Sequence, residues 1–376
     1  MGASDTRRET AHETTMSRWN YFAKRLLLML PVVLFGTTIT FMIIRMGPLD
    51  PVAAILGNDV PPSQYARVEA QLGLDEPLWQ QYIDYMVGLL TFDLGNSYVI
   101  QENTSAMSLV VGHAPRTLWL GFWSILLPLF IGIPLGFYAG LNPNTMGDYA
   151  ASFSGIVWRA MPNFWLGVIF LSVLSQSGHY SSILTFGIVE FQWDTWLVSN
   201  NIGTPPPLDF YDPNGTDLFT VGGTTISLFS FDVDTFVRAV KMVLPPAIVL
   251  GSASMGNEMR LGRTAVLETI NSKYVETARA KGLSRQKIVW KHVFRNALIP
   301  LVPIILNEAF LLIGGSVIME TIFAINGIGY LFFQAAINGD MPLVGSLMYI
   351  FILIIVFMNI FQDFLYTIID PRVGYE

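Results

Sequence analysis

The chain has 376 residues, of which 52% are hydrophobic and 13% charged, with a formal net charge of −7. Soluble domains carry roughly 25% charged residues, so this composition belongs to a polytopic membrane protein. Cysteine is absent, which excludes disulfides, thiolate metal sites and thiol nucleophiles, and the four His (12, 113, 179, 292) include no pair at helical ligand spacing.

Residues 1–17 are polar and read as disordered, within a tail of residues 1–20. A spanning helix needs about 20 apolar residues. Uncharged runs of that order occur at 26–44, 117–139, 160–178 and 341–362. Two weaker runs complete the set: 242–257, which carries Pro245-Pro246, and 297–319, which contains Glu308. The expected fold is therefore all-α with six transmembrane helices. The first, 21–44, is too long for a cleaved signal, and no small-residue cleavage site follows it. An outer cap segment of 45–115 comes next, then spans two and three within 116–175. An outer insertion of 176–238 precedes spans four to six within 239–368, which enclose a loop at 262–296. Residues 369–376 form the C-terminus.

Lys and Arg bias near the helix ends sets the orientation. With the N-terminus inside, the inner segments hold Arg7, Arg8, Arg18, Lys24, Arg25, the basic run from Arg260 to Arg295, and Arg372. The outer side receives Arg45, Arg67, Arg116, Arg238 and Lys241, while Arg159 falls near the inner end of span three. Both termini are then cytoplasmic. The inner turn at 140–149 fits least well, since it has Asp148 and no basic residue. Acids are placed oppositely, and the stretch from Glu190 to Asp234 contains no Lys or Arg. A negative outer field keeps surfaces hydrated and repels anions. With a sequence pI near 5.1, the chain resembles membrane proteins of salt-loving archaea.

The outer cap segment has Pro-rich turns and helical stretches at 63–72 and 77–90, with Ser63 as a cap and Gly73 as a stop. In the insertion, Gly222-Gly223 lies between alternating runs at 218–221 and 224–229, a hairpin signal that makes this segment partly β. Asp209, Asp212, Asn214 and Asp217 resemble Ca²⁺ ligands only loosely. Their spacing is mixed, and no Glu stands at the bidentate position of an EF-hand.

The most informative stretch is Tyr274-Val-Glu-Thr-Ala-Arg-Ala-Lys-Gly282, running on to Asn296-Ala-Leu-Ile-Pro300. It is basic, helix-forming and flanked by apolar runs, so it is a water-facing loop. Asn271 and Ser272 are candidate N-caps, Glu276 sits in the first turn, Lys281 in the last, and Gly282 suits a left-handed stop. Ser284 can cap a second helix through Lys291.

These residues resemble the cytoplasmic coupling loop of binding-protein-dependent ABC importers. That signature has a Glu, an Ala two residues on and a Gly six residues on, matched by Glu276, Ala278 and Gly282. The continuation from Thr277 through Ser284 and from His292 to Pro300 is similar to the dipeptide, oligopeptide and nickel branch. Other matches are Gly73–Pro77, Gln81-Tyr82, Phe92–Gly95, Pro115–Thr117, Asp148 and Met161–Trp165. Towards the C-terminus they are Leu312–Gly315, Glu320–Phe323, Gly327–Gly329, Asn359, Asp363, Tyr366 and Asp370–Arg372. Asn326 stands where relatives usually have Pro, implying a less rigid outer turn.

The resemblance implies a permease subunit that pairs with a homologous second permease around a translocation path. It also implies two ATPase subunits holding ATP and Mg, an outer substrate-binding protein, and a di- or oligopeptide as solute, with nickel or another small solute as the alternative. Glu276, Ala278, Arg279, Lys281, Gly282 and Ser284 would then couple to the ATPases.

Glu308, Gly314 and Gly315 are candidates for the path or for a subunit interface, because a carboxylate inside the bilayer costs about 2.5 kcal/mol or more. Proline and glycine punctuate the apolar runs, as kinked and closely approaching helices require. No Gly-x-x-x-x-Gly-Lys-Ser/Thr loop occurs in the sequence, so no P-loop ATP site and no cofactor is expected in this chain. Gly315-Ser316 has no membrane His to activate it as a nucleophile. A self-contained secondary transporter remains the rival class, and it predicts internal repeats and midplane charges.

Overall fold

The structure, a computed structural model, describes residues 3–47, 50–57, 60–185, 191–221, 224–306 and 317–369. It opens with α1 (Ala3–Met46) as one 44-residue helix. Residues 3–17 therefore differ from the disordered tail expected of them. No Gly or Pro interrupts the chain between Ala3 and Pro31, so the span's helix extends through them.

The outer cap segment follows as α2 (Pro51–Leu56), α3 (Pro62–Gln71) and α4 (Leu78–Thr91). Pro62 at the first helical position starts α3 one residue early, so Ser63 is inside the helix and does not cap it. Gly73, at φ +63°, ends it as its sequence position implies. A short ladder pairs β1 (Asn96–Ser97) with β2 (Thr104–Ser105).

Next, α5 (Ala106–Leu127), a π turn at Pro128–Gly132 and α6 (Ile133–Leu141) form one 36-residue run. Then α7 (Met146–Ala160) and α8 (Asn163–Ser175) meet at a 94° bend. The segment expected as an outer insertion contributes α9 (Ser177–Leu184) and the paired strands of the expected hairpin. Its strands β3 (Tyr211–Val221) and β4 (Thr224–Phe231) are longer than the sequence runs and are paired from Val221–Thr224 to Tyr211–Phe231.

The fourth span is a 38-residue helix, α10 (Val233–Ile270), rather than the short run 242–257. The loop beyond it holds α11 (Lys273–Ala280), α12 (Arg285–Lys287), a π stretch at Ile288–Phe294 and α13 (Arg295–Leu298). The chain closes with α14 (Val317–Ile322), α15 (Ile328–Asn338) and α16 (Met341–Ile369). Among the described residues four helices are long and apolar enough to cross a membrane, and five if α7 and α8 make one bent span. The expected span at 297–319 lies partly outside the described residues.

Two compact units share the chain, Met1–Gly112 with Phe332–Glu376, and His113–Leu331. In the first, α1 runs against α16. A Cβ on Gly36 would meet Ile352, and Arg25 pairs with Asp363 at 3.2 Å. Thr38 and Tyr82 share a 2.7 Å hydrogen bond that ties α4 to the same helix. Buried Asp340 accepts from the Ser97 hydroxyl (2.6 Å) and the N–H groups of Val99 and Ile100 (both 3.1 Å), fixing the turn after β1.

In the second unit α10 is the centre. Of its most apolar window 61% is buried, against 17% for α1. Gly132, Gly136 and Gly140, four residues apart on one face, press against the α10 backbone and Val266. A Cβ on Gly136 would collide with the Met259 carbonyl. Small residues at this spacing let two helices approach closely.

Candidate coupling site

The loop after α10 is built from a polar helix with one apolar edge. In α11, Val275 and Ala278 are buried, while Glu276, Arg279 and Lys281 are exposed. The buried pair packs with Ile133 and Phe137 of α6, Ala265 and Val266 of α10, and Ile288, Val293 and Ala297 farther on. Fully burying a side chain of valine size stabilises by about 1.5 kcal/mol or more. This edge therefore anchors α11 across the end of α10 and leaves the charged face to solvent.

The capping differs from the expectation in part. Asn271 donates to the Leu267 carbonyl at 2.9 Å and the Ser272 hydroxyl donates to the Thr269 carbonyl at 2.6 Å. Both side chains thus finish α10, and neither caps α11, although Ser272 occupies the capping position. The stop is as expected. Gly282 has φ +74°, its N–H donates to Arg279 (2.9 Å), and the Leu283 N–H reaches back to Ala278 (3.3 Å).

That pair of bonds is a Schellman motif, and Leu283 packs on the same apolar cluster to complete it. Ser284 stands at the start of α12 without a side-chain cap bond, and the helix beyond it widens into π form through Phe294. The structure thus brings Glu276, Arg279, Lys281, Gly282 and Ser284 to one exposed stretch and buries Ala278 beneath them. Tyr274 and Trp290, 46% and 62% exposed, were missed in the sequence reading. Aromatic and Arg side chains together are the composition of an interface centre.

The second anchor of this region is Asp148. The Arg263 guanidinium donates to both of its oxygens, from Nε at 2.6 Å and from Nη2 at 2.8 Å. The Asn144 N–H (2.9 Å) and Ser152 hydroxyl (3.3 Å) add to it. The acid that sat oddly in a turn without basic residues is therefore neutralised by α10, about two helical turns before that helix ends. Glu308, Gly314 and Gly315, the candidates for the path, lie outside the described residues.

Two further buried charges in this unit hold loop segments, largely through backbone groups. The Lys241 ammonium donates to the carbonyls of Val198 (2.7 Å), Asp194 (3.2 Å) and Asn200 (3.4 Å), beneath the Trp193 ring. The Glu320 carboxylate accepts from the Thr117 hydroxyl and the Tyr330 N–H, both at 2.9 Å, while Thr117 accepts from the Ile328 N–H at 2.8 Å. Three separate sequence motifs, around Thr117, Glu320 and Gly327–Gly329, thus meet at one point. Asn326 donates its N–H to the Ala324 carbonyl at 3.1 Å, a bond that proline could not make.

Comparison with known proteins agrees in both halves of the chain. The profile of the family described as binding-protein-dependent transport system inner membrane component matches residues 132–375. A profile for the N-terminal part of such membrane components matches residues 18–120. The dipeptide transport system permease protein DppB of Alkalihalophilus pseudofirmus is 31% identical, covering 94% of this chain and 99% of that protein. The oligopeptide transport system permease protein AppB of Bacillus subtilis is 30% identical over the same shares. The di/tripeptide transport system permease protein DppB of Pseudomonas aeruginosa is 32% identical, over 95% and 99%. Among solved structures, the MetNI methionine ABC transporter in inward-facing conformations gives a TM-score of 0.43 at 17% identity, over 70% of this chain and 97% of that one.

Proposed function

The chain belongs to the family of binding-protein-dependent transport system inner membrane components, and on that premise we propose that it is half of the translocation path of an ATP-driven importer of di- or oligopeptides. The names of its relatives, which are dipeptide, oligopeptide and di/tripeptide permeases, support the substrate class. Its partners are a homologous second permease subunit, two ATPase subunits that hold ATP and Mg, and an outer substrate-binding protein. Both termini are cytoplasmic, in keeping with the Lys and Arg bias. The acidic outer loops and low pI favour a salt-loving archaeal source.

The observation that carries the coupling role is α11 itself. Its apolar edge is fastened to α6 and α10, while Glu276, Arg279 and Lys281 face solvent beside the left-handed Gly282. ATPases closing on ATP push this exposed face, and the buried edge passes the displacement into α10. Glu276 meets the ATPase surface, and Gly282 leaves room for the helix to seat, since a Cβ there would meet nothing of this chain.

The test uses the whole complex in vesicles. ATP hydrolysis should be stimulated by loaded binding protein, and this chain alone should neither bind nor hydrolyse ATP. Glu276→Arg and Gly282→Leu should lose stimulated hydrolysis and uptake together, while both variants still reach the membrane. Full uptake by the double variant, or uptake by the lone chain driven by an ion gradient, would replace the importer with a secondary transporter.

A further inference from the structure

A cavity of about 500 Å³ lies between α7 and α10, lined by Gly155, Ile156, Arg159, Gly256, Met259 and Arg260 among others. That volume is within the roughly 300–1,000 Å³ of small-ligand pockets. Three arginines reach it and no acid lines it. Arg263 is occupied by Asp148. The guanidinium groups of Arg159 and Arg260 are exposed and have no partner among the described residues.

The inner turn after α6 lies level with Val266, because a Cβ on Gly140 would meet that side chain, whereas Arg159 lies level with Gly256. Ten residues of helix separate the two levels, about 15 Å at 1.5 Å per residue. Arg159 thus stands at the 94° break between α7 and α8, beside Arg260 at the start of the inner basic run. An arginine facing lipid at the bilayer centre costs about 2.5 kcal/mol or more, so two exposed, unpaired arginines mark this face as one that meets water or another subunit rather than lipid. Gly155 and Gly256 at the cavity wall bring the two backbones together and leave the arginines as its prominent polar groups.

We propose that Arg159 and Arg260 form an anion station in the translocation path that takes the terminal carboxylate of the passing peptide. This rests on the peptide reading above and extends it to a specific contact. The planar fork of arginine matches a carboxylate in bidentate fashion. The station is open to solvent, which keeps binding weak enough for release.

The experiment uses the complete complex in vesicles, with alanyl-alanine and alanyl-alanine amide presented on binding protein loaded to the same occupancy. The parent complex should import the acid faster than the amide by about tenfold, the worth of one charged hydrogen bond. Arg159→Gln and Arg260→Gln should bring that ratio towards one, and Arg159→Lys should restore part of it. The ratio is internal to each preparation, so it does not depend on how much variant inserts.

A ratio in the Gln variants equal to the parent's overturns the proposal and leaves the peptide reading intact. So does equal loss of both peptides with no rescue by Lys. An effect present only in vesicles containing anionic lipid, and absent in zwitterionic ones, assigns the cavity to a headgroup phosphate instead. No import of either peptide by the parent complex removes the peptide reading and this proposal with it.

Discussion

Replacing Lys241 with methionine keeps much of the volume but removes the ammonium, leaving the carbonyls of Asp194, Val198 and Asn200 turned towards an apolar tip. Leaving buried acceptors unmade costs about 1–3 kcal/mol. The cost should appear locally, as faster clipping of the outer insertion by a protease added outside sealed vesicles, and clipping at the parental rate would show that Lys241 does not anchor it. Thr117→Val is the matching test for Glu320. It removes a donor to the carboxylate and the acceptor of the Ile328 N–H in one isosteric change. The expected loss is about 1.5–3 kcal/mol in thermal unfolding of the purified chain. Neither pin was legible beforehand. Lys241 reads as one more outer cation and Glu320 as part of a family motif, because the carbonyls that hold the first and the Thr117 hydroxyl that meets the second lie far away in sequence.

Helices of this chain are held together by what their glycines omit. Gly136→Ala would drive a Cβ into the Met259 carbonyl, whereas Gly112→Ala would meet nothing. Overpacking of this kind costs about 1–3 kcal/mol, so the first variant should unfold at a lower temperature and the second should not. Equal melting of the two would mean that α6 and α10 can part freely. The glycine spacing and the stop at Gly282 could be read from sequence, since both depend on local backbone. The full length of α10 could not. Glu258, Arg260 and Arg263 break the apolar run that marks a span, and the Asp148 partner of Arg263 is 115 residues away. Ser272 was legible as a cap position but not in its actual bond, since a hydroxyl can serve the helix behind it as readily as the one ahead.

At the scale of the molecule, the absence of native cysteine makes orientation directly measurable. A cysteine placed at Asn214 should react with an impermeant thiol reagent added outside intact cells, and one placed at Ser284 should not. The reverse pattern would overturn the cytoplasmic placement of α11 and the coupling role with it. Class was legible because hydropathy and charge are sums over many residues, and family because its motif residues, Glu276, Ala278 and Gly282 among them, stand close together in sequence. The division into two units was not, because it depends on which distant segments pack together.

The burial of α10 also bears on how the chain enters the bilayer during synthesis. Its best window has a mean hydropathy of 1.5, against 2.4 for α1 and 2.5 for α16. Its uncharged run between Lys241 and Glu258 is only 16 residues, short of the about 20 a span needs, and each charge drawn towards the bilayer centre adds about 2.5–3.5 kcal/mol to insertion. Alone it should therefore leave the translocon for lipid poorly. Its partners α6 and α7 precede it in the chain and offer a glycine face and Asp148, so they serve as an internal chaperone that receives it. A nascent chain truncated after Ile270 should integrate α10 when α5–α8 are present and pass it through the membrane when they are deleted, as glycosylation mapping would read.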